Sequence, residues 1–176
     1  GVDRSDREAP AGMLWPDWDA PLAFLPVEGE ELLSPDGASK ENSVEASWVV
    51  KILMGLIEEG GLEISSIGII TPYAGQVRAI RDMIPKSMQD VEVRTVDGYQ
   101  GREKDVIIFS SVRSNPDGNV GFLSDRRRLN VALTRSRRGL IVVGNPETLR
   151  HDDNWRAWID HIRSSKLEAW HLLGTA

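Results

Sequence analysis

The sequence predicts an α/β fold of three layers, in which helices cover both faces of a mainly parallel sheet. The chain has 176 residues, of which 40% are hydrophobic, and this is enough for one domain with a sizeable core. Continuous apolar runs such as Val106–Phe109 and Leu140–Val143 are typical of strands buried on both faces. Segments with apolar residues at helical spacing separate these runs, which favours parallel strands joined by helices.

The first third of the chain contains an arm, a strand and a helix. Residues 1–21 carry three prolines and many charges without periodicity, so we expect an irregular N-terminal arm. The stretch Pro21–Val27 predicts a short strand. Asn42 followed by Glu45 resembles a capping box at the start of a helix. Apolar residues at helical spacing continue from there, and the glycine pair that begins at Gly60 ends the helix.

The remaining elements alternate between strands and helices. We expect strands at Ile67–Thr71, Val91–Thr95, Asp105–Val112 and Leu140–Gly144. We expect helices at Gly75–Ile84, Asp125–Ser136 and Trp155–Ser165. This order places residues 22–176 in a single domain.

Charge is unevenly distributed along the chain, whose formal net charge is −6. Residues 1–46 contain 11 acids and 3 bases, a net charge of −8, whereas the remaining 130 residues have a net charge of +2. The composition therefore disfavours a uniformly basic nucleic-acid-binding protein, although it leaves room for a local basic surface.

Composition also excludes several kinds of site. The chain contains no cysteine, which rules out disulfides, a cysteine nucleophile and zinc sites with thiolate ligands. Its three histidines lie ten residues apart, and we expect them on the surface and no metal site. No apolar run is long enough to span a bilayer, so we expect no membrane partner.

The first segment that could carry chemistry is ITPYAGQ, residues Ile70–Gln76. A strand is expected to end at Thr71, and a helix to follow Pro72. A threonine hydroxyl beside the N-terminal amides of a helix can hold a phosphate, and Tyr73 could stack on a base. A plain strand-to-helix turn explains the same residues without a ligand.

The second segment is TVDGYQGREKDVII, residues Thr95–Ile108. Gly98 and Gly101 permit a close approach to the backbone. Six polar side chains precede a buried strand, and such density is costly unless the groups are partnered or meet a ligand. These residues are Asp97, Gln100, Arg102, Glu103, Lys104 and Asp105. A charged turn in contact with solvent is the alternative.

The third segment, Gly121–Gly139, contains six arginines and one acid, Asp125. The planar arginine fork bonds phosphate oxygens in pairs and keeps its charge. If the segment is helical, Arg128 and Arg135 lie on nearly one face. A solvated basic face is the alternative, and the apolar residues interleaved among the arginines disfavour it.

These three segments, in this order and with these strands between them, resemble motifs IV, V and VI of superfamily 1 helicases. The stretches QGREKDVIIFSSVRS and GFLSDRRRLNVALTRSRRGLIVVGNPETL are most similar to the branch that contains the regulators of nonsense transcripts and the senataxin-like helicases. The resemblance covers roughly Pro21 to Ile162. It implies a RecA-like domain of the P-loop NTPase type, the second of two such domains. In that family ATP lies in the cleft between the two domains, and single-stranded nucleic acid crosses both.

The resemblance also implies roles for individual residues. Arg135 resembles the arginine finger, and Glu103 matches the glutamate near the γ-phosphate and ribose, so both are expected to be catalytic. Together with Gln100 and Gly101, which match the link between the nucleotide and the nucleic-acid path, they are expected to bind the nucleotide. The residues expected at the nucleic acid are Thr71, Pro72, Tyr73 and Thr95.

The sequence departs from a complete helicase in what it lacks. It contains no GxxxxGK[ST] stretch, no acidic Walker B strand and no motif III, so the domain lacks a P-loop of its own. We therefore expect a fragment of a longer helicase, in which the first RecA-like domain holds most of the contacts to the Mg²⁺ that accompanies ATP. The expected partners are that domain and single-stranded RNA or DNA. We expect a monomer located in the cytoplasm or the nucleus.

Two other classes of function remain as alternatives. One is a non-catalytic nucleic-acid or protein interaction module that kept the fold, and the presence of both Glu103 and Arg135 disfavours it. The other is a phosphate-dependent enzyme of the doubly wound type, which the missing glycine-rich phosphate loop disfavours.

Overall fold

The computed structural model of the chain describes residues 22–99 and 101–164. In chain order the strands are β1 (Leu22–Pro26), β2 (Leu32–Leu33), β3 (Lys40–Glu41), β4 (Ile67–Thr71), β5 (Glu92–Thr95), β6 (Lys104–Ser110) and β7 (Ser136–Gly144). The helices are α1 (Ser43–Glu58), α2 (Ala74–Met83), α3 (Arg126–Leu133), α4 (Pro146–Leu149) and α5 (Asp153–Ser164). The arm expected at residues 1–21 lies outside the described residues.

Five of these strands form one parallel sheet in the order β1-β7-β6-β4-β5. Ile108 in the middle of the sheet lies opposite Ile69 on one side and Ile141 on the other. β2 and β3 form a separate antiparallel pair. Because all five strands run in the same direction, their carboxyl ends meet at one edge of the sheet and their amino ends at the opposite edge.

Helices cover both faces of this sheet. α1 and α2 pack against one face, where their apolar residues join Ile108 in a single core cluster. α3 and α5 pack against the other face, where their apolar residues join Ile107 and Phe109 in a second cluster. Alternate residues of β6 therefore enter different cores, which explains why its sequence is apolar without interruption from Val106 to Phe109. The predicted three-layer α/β fold is confirmed.

The strand expected at Ile67–Thr71 has the predicted bounds. The bounds of the other expected elements differ by a few residues, and the largest disagreement lies at the boundary between α3 and β7. The helix expected over Asp125–Ser136 stops at Leu133, and β7 begins at Ser136, four residues before the expected strand start at Leu140. The predicted start of that helix is confirmed, since Asp125 caps it by accepting a hydrogen bond from the N–H of Arg128 (3.3 Å).

Pairing with β6 explains the early start of β7. Ser136 lies opposite Lys104 in the register, and the guanidinium of Arg137 forms an ion pair with Asp105 at 2.9 Å. These long-range contacts override a local pattern that favours a helix. Arg135 therefore lies between α3 and β7, and the expectation that it shares a helix face with Arg128 is wrong.

Two absences can be stated for residues 22–99 and 101–164. None of their helices combines the length and the apolar character needed to cross a membrane. The same residues contain no group of three or more acidic or histidine side chains arranged to hold a metal ion.

Candidate functional site

Two neighbouring strands, β4 and β5, end side by side at the carboxyl edge of the sheet. Their last residues, Thr71 and Thr95, are partners in the register. Pro72 and Tyr73 follow Thr71 and lead into α2, for which Tyr73 is the N-cap residue. Thr95 Oγ1 accepts a hydrogen bond from the N–H of Gly98 (3.0 Å), which closes a tight turn. All four residues expected at the nucleic acid therefore lie at this edge.

Thr71 lies beneath the surface of this edge. Its side chain is 0% exposed, and its Oγ1 has no hydrogen-bond partner. Pro72, Tyr73 and Thr95 are each partly exposed. A ligand can therefore contact these three residues directly in this conformation. The hydroxyl of Thr71 is buried and becomes accessible only when the residues around it rearrange.

Tyr73 is held from behind by a buried arginine that sequence reasoning missed. Arg113, which is 6% exposed, donates a hydrogen bond from Nη1 to Tyr73 Oη (3.1 Å). Its Nε donates to Glu31 Oε1 (3.2 Å). Burial opposes the charge of Arg113, but the hydrogen bonds and the proximity of Tyr73 and Glu31 outweigh it and raise the pKa of the guanidinium.

A buried polar network underlies the same edge. Gln76 accepts a hydrogen bond from the N–H of Asn42 (2.9 Å) and donates from Nε2 to Asn42 O (3.0 Å) and Ser110 Oγ (3.1 Å). Ser110 donates in turn to Glu45 Oε1 at 2.8 Å. Asn42, Glu45, Gln76 and Ser110 are all 0% exposed. The network therefore ties the amino ends of α1 and α2 to the end of β6.

The capping box expected at α1 forms only in part. Asn42 Oδ1 accepts from the N–H of Glu45 (3.2 Å), as predicted. The carboxylate of Glu45 does not return to the N–H of Asn42 and instead accepts from the N–H of Val112 at 2.9 Å. Burial raises the pKa of Glu45 to about 8, although its hydrogen bonds act in the opposite direction.

The residues expected at the nucleotide lie at the opposite, amino edge of the sheet. Glu103 immediately precedes β6, and Arg135 immediately precedes β7. The N–H of Lys104 donates to Arg135 O (3.0 Å), so the segments that carry Glu103 and Arg135 lie side by side at this edge. Glu103 is exposed and Arg135 is half-buried, while Gly101 is exposed with φ +83°. The expected partner Gln100 lies outside the described residues.

Two buried side-chain atoms in residues 22–99 and 101–164 have no hydrogen-bond partner, namely Arg135 Nε and Thr71 Oγ1. Buried polar atoms are almost always paired, and each exception calls for an explanation. One lies at the amino edge and the other at the carboxyl edge. Both belong to residues that the sequence marks as ligand-binding.

Other arginines of the same basic segment are engaged in ion pairs. Arg128 forms a two-pronged contact with Asp97 and also approaches Asp125 at 3.6 Å. Arg137 and Arg138 both approach Asp105, at 2.9 and 3.8 Å. These pairs hold the guanidinium groups against the protein, whereas Arg135 Nε is buried without an acceptor.

A short crossover, of which residues 96–99 and 101–103 are described, joins the two edges. It leaves the end of β5, crosses β4 and enters β6, since β4 lies between these strands in the sheet. Tyr99 in this crossover is buried, and its Oη donates to Arg102 O. Gly68 of β4 lies beside it, and a Cβ there would be in ordinary van der Waals contact with Tyr99 Cε2 at 3.9 Å.

Sequence reasoning missed the residues that support the site from below. The contacts of Arg113 with Tyr73 and Glu31, and that of Glu45 with Val112, join residues 40 to 82 positions apart in the chain. The sequence does contain a signal for these residues, because polar residues, among them Ser110 and Arg113, follow the apolar run of β6 directly. Polar residues directly after such a strand are candidates for a buried network.

Comparison with known proteins gives one family. A sequence model of the family described as "AAA domain" matches residues 2–147. Regulator of nonsense transcripts 1 from Dictyostelium discoideum is 42% identical over 173 residues, which cover 94% of this chain and 13% of that protein. The Drosophila melanogaster homolog of regulator of nonsense transcripts 1 is 39% identical over 174 residues, or 95% of this chain and 15% of that protein.

A third relative has a name that states an activity. ATP-dependent helicase NAM7 from Saccharomyces cerevisiae is 39% identical over 175 residues, which cover 93% of this chain and 18% of that protein. The chain therefore spans less than a fifth of the length of each of these relatives.

Proposed function

Because this chain belongs to the AAA domain family, as a superfamily 1 helicase domain of the regulator-of-nonsense-transcripts type, we propose that it is the second motor domain of an ATP-dependent helicase or translocase. In this proposal the domain supplies an arginine finger at its amino edge. It also supplies part of the surface for single-stranded RNA or DNA at its carboxyl edge. A first RecA-like domain of the same longer protein completes the nucleotide site.

The pair of unsatisfied buried atoms carries the proposal. Leaving Arg135 Nε and Thr71 Oγ1 without partners is costly unless a ligand or a closing domain satisfies them. The two atoms lie at opposite edges, which suits a domain that meets a nucleotide on one side and a strand on the other. A protein interaction module has no need for this arrangement.

The residues at the amino edge fit a nucleoside triphosphate. Arg135 has a buried guanidinium nitrogen without an internal acceptor, and once closure of the two domains exposes it, a phosphate oxygen is the acceptor that best matches its planar fork. Glu103 is exposed beside it and can accept hydrogen bonds from ribose hydroxyls. ATP, when bound, supplies the phosphoanhydride bond whose hydrolysis drives movement. Gly101 and Gln100 complete the proposed nucleotide-binding set, and Mg²⁺ is assigned mainly to the first domain.

The residues at the carboxyl edge fit a single strand. Tyr73 is partly exposed and can stack on a base, while Thr95 and Pro72 offer a hydroxyl and a flat apolar surface beside it. Thr71 is assigned to the floor of this surface, where a shift of the overlying chain would expose its hydroxyl to a phosphate. The surface carries few cations, so this domain alone holds the strand weakly.

The crossover of residues 96–103 links the two proposed sites mechanically. One end carries the Thr95 turn, and the other end carries Gly101 and Glu103. A change in the contacts of Glu103 can therefore shift the turn at Thr95 through a segment anchored by the buried ring of Tyr99. A motor requires coupling of this kind, whereas two independent binding sites do not.

Steady-state ATP hydrolysis by the full-length protein, with and without single strands, tests the proposal. We expect stimulated turnover, and Glu103→Gln should lower it about 10- to 150-fold, the effect of losing one hydrogen bond to a charged group. The matched control is Glu58→Gln on the exposed end of α1, which should behave as the wild type. Strand binding without any stimulated hydrolysis would favour the interaction module instead.

A further inference from the structure

The turn that follows β6 has an unusual backbone. The N–H of Arg113 donates to Ser111 O (2.8 Å), two residues earlier, and the residue between them, Val112, has φ 69°. This is a γ-turn of the strained hand, and a β-branched residue rarely adopts its conformation. Val112 is completely buried, so the turn is part of the packed interior.

Two side chains from α1 hold this strained turn. Glu45 Oε1 accepts from the N–H of Val112 (2.9 Å), and Asn42 Nδ2 donates to Val112 O (3.0 Å). Both backbone groups of the strained residue are thus bonded to fully buried side chains. Strain that the surroundings maintain in this way points to a function for the residue that it orients. That residue is Arg113.

The guanidinium of Arg113 is enclosed. It bonds Tyr73 Oη at 3.1 Å and Glu31 Oε1 at 3.2 Å, and its Cζ lies 6.0 Å from the centroid of the Tyr73 ring. Gly121 forms another wall, because a Cβ there would lie 2.2 Å from Arg113 Nη1 and 3.2 Å from Tyr73 Oη. With 6% exposure and two internal acceptors, the group is poorly placed to contact a phosphate.

We propose that Arg113 is a positioning residue, which fixes the ring of Tyr73 so that the ring forms a rigid platform for stacking a nucleic-acid base. The γ-turn at Val112 aims the guanidinium, Glu31 and Gly121 confine it, and its bond to Oη restrains the partly exposed ring. A ring that is already ordered loses less conformational freedom when a base stacks on it. This proposal rests on the function proposed above, since it requires a strand at the carboxyl edge.

Tyr73→Phe in the full-length protein is the sharpest variant, because it keeps the ring and removes only the oxygen that Arg113 bonds. Affinity is measured by fluorescence anisotropy with a labelled single-stranded homopolymer at several salt concentrations. We expect Tyr73→Phe to weaken binding about two- to tenfold, the effect of ordering one more side chain on binding. Tyr73→Ala should weaken it about 5- to 150-fold, the range for losing one stacked base.

Arg113→Lys completes a double-mutant cycle. It should weaken binding about as much as Tyr73→Phe, and the combination with Tyr73→Phe should be no weaker than either single variant. Arg113→Gln, which removes the charge, should keep the wild-type dependence of affinity on salt, because no phosphate contact is lost.

Three outcomes would overturn the inference. They are wild-type affinity for Tyr73→Phe, additive effects in the cycle, and a shallower salt slope for Arg113→Gln, which would instead mark a phosphate contact. Each of these leaves the helicase proposal intact as long as the wild type binds the strand. Failure of the wild-type full-length protein to bind any single strand would reject the proposed function, and this inference with it.

Discussion

Arginines within one short segment differ in what their guanidinium groups contact. Arg137 is paired with Asp105 at 2.9 Å, so its charge is already used within the fold. Arg135, two residues earlier, has a buried Nε without any acceptor. At the scale of single residues, this contrast supports the proposal that Arg135, and not Arg137, is the finger.

Turnover of the full-length enzyme tests that assignment. Arg135→Lys should fail to restore the activity that Arg135→Ala removes, because an ammonium lacks the two-pronged geometry of the guanidinium. An arginine finger contributes about 10³–10⁵ in rate. Arg137→Ala breaks only an exposed ion pair and should change turnover less than about tenfold. A dead Arg137→Ala enzyme beside an active Arg135→Lys enzyme would contradict the assignment, with thermal melting as the check on folding.

At the scale of elements, the strands follow closely from the sequence because burial on both faces leaves an uninterrupted apolar run. Ile107 and Ile108 enter different cores, so neither position tolerates a polar residue. The end of α3 could not be read in the same way. The end of this helix depends on the pairing of Ser136 with Lys104, which is 32 residues away. A local sequence pattern cannot reveal such a pairing.

The candidate site, too, was predictable only in part. The resemblance to helicase motifs predicts four of its residues, namely Glu103, Arg135, Thr71 and Thr95. Their separation onto opposite edges of the sheet follows only from the strand order. The supporting network was not predictable, because it requires α1, α2 and β6 to be placed together. Gln76 and Ser110, for example, are 34 residues apart and meet at 3.1 Å.

The network that joins α1 to β6 should make stability depend on pH through Glu45. Its pKa is raised from 4.5 to about 8 by burial, so between these values the folded chain holds a proton that the unfolded chain has released. The contribution is therefore complete below about pH 4.5 and is lost as the pH rises to about 8, at up to about 1.36 kcal/mol per pH unit. Glu31 is the nearby acid that raises this pKa further.

Urea unfolding of the 176-residue chain at several pH values between 5 and 8 measures this dependence. The free energy of unfolding of the wild type should fall across the range, and that of Glu45→Gln should fall less, because the amide does not titrate. The variant is expected to be less stable at pH 5, since its amide nitrogen meets the donor group of Asn42. Identical slopes for the two proteins would show that Glu45 does not titrate in this range.

At the scale of the whole molecule, net charge limits how this domain holds a strand. The chain carries −6 overall, and several of its arginines are engaged by acids. The isolated 176-residue chain should therefore bind single strands weakly at physiological salt. Its slope of log affinity against log salt should be shallow, at about −0.7 for each phosphate neutralised. Nanomolar affinity with a steep slope would contradict this expectation and reveal a basic surface elsewhere.

The central claim is that nucleotide and strand occupy opposite edges of one sheet, and paired measurements on the full-length protein test it most directly. Turnover and strand affinity are determined together for Arg135→Ala at the amino edge and Tyr73→Ala at the carboxyl edge. We expect Arg135→Ala to lose about 10³–10⁵ in turnover at nearly unchanged strand affinity. Tyr73→Ala should lose about 5- to 150-fold in affinity and keep turnover when the strand is saturating. Equal losses of both properties in both variants would contradict the separation of the two sites.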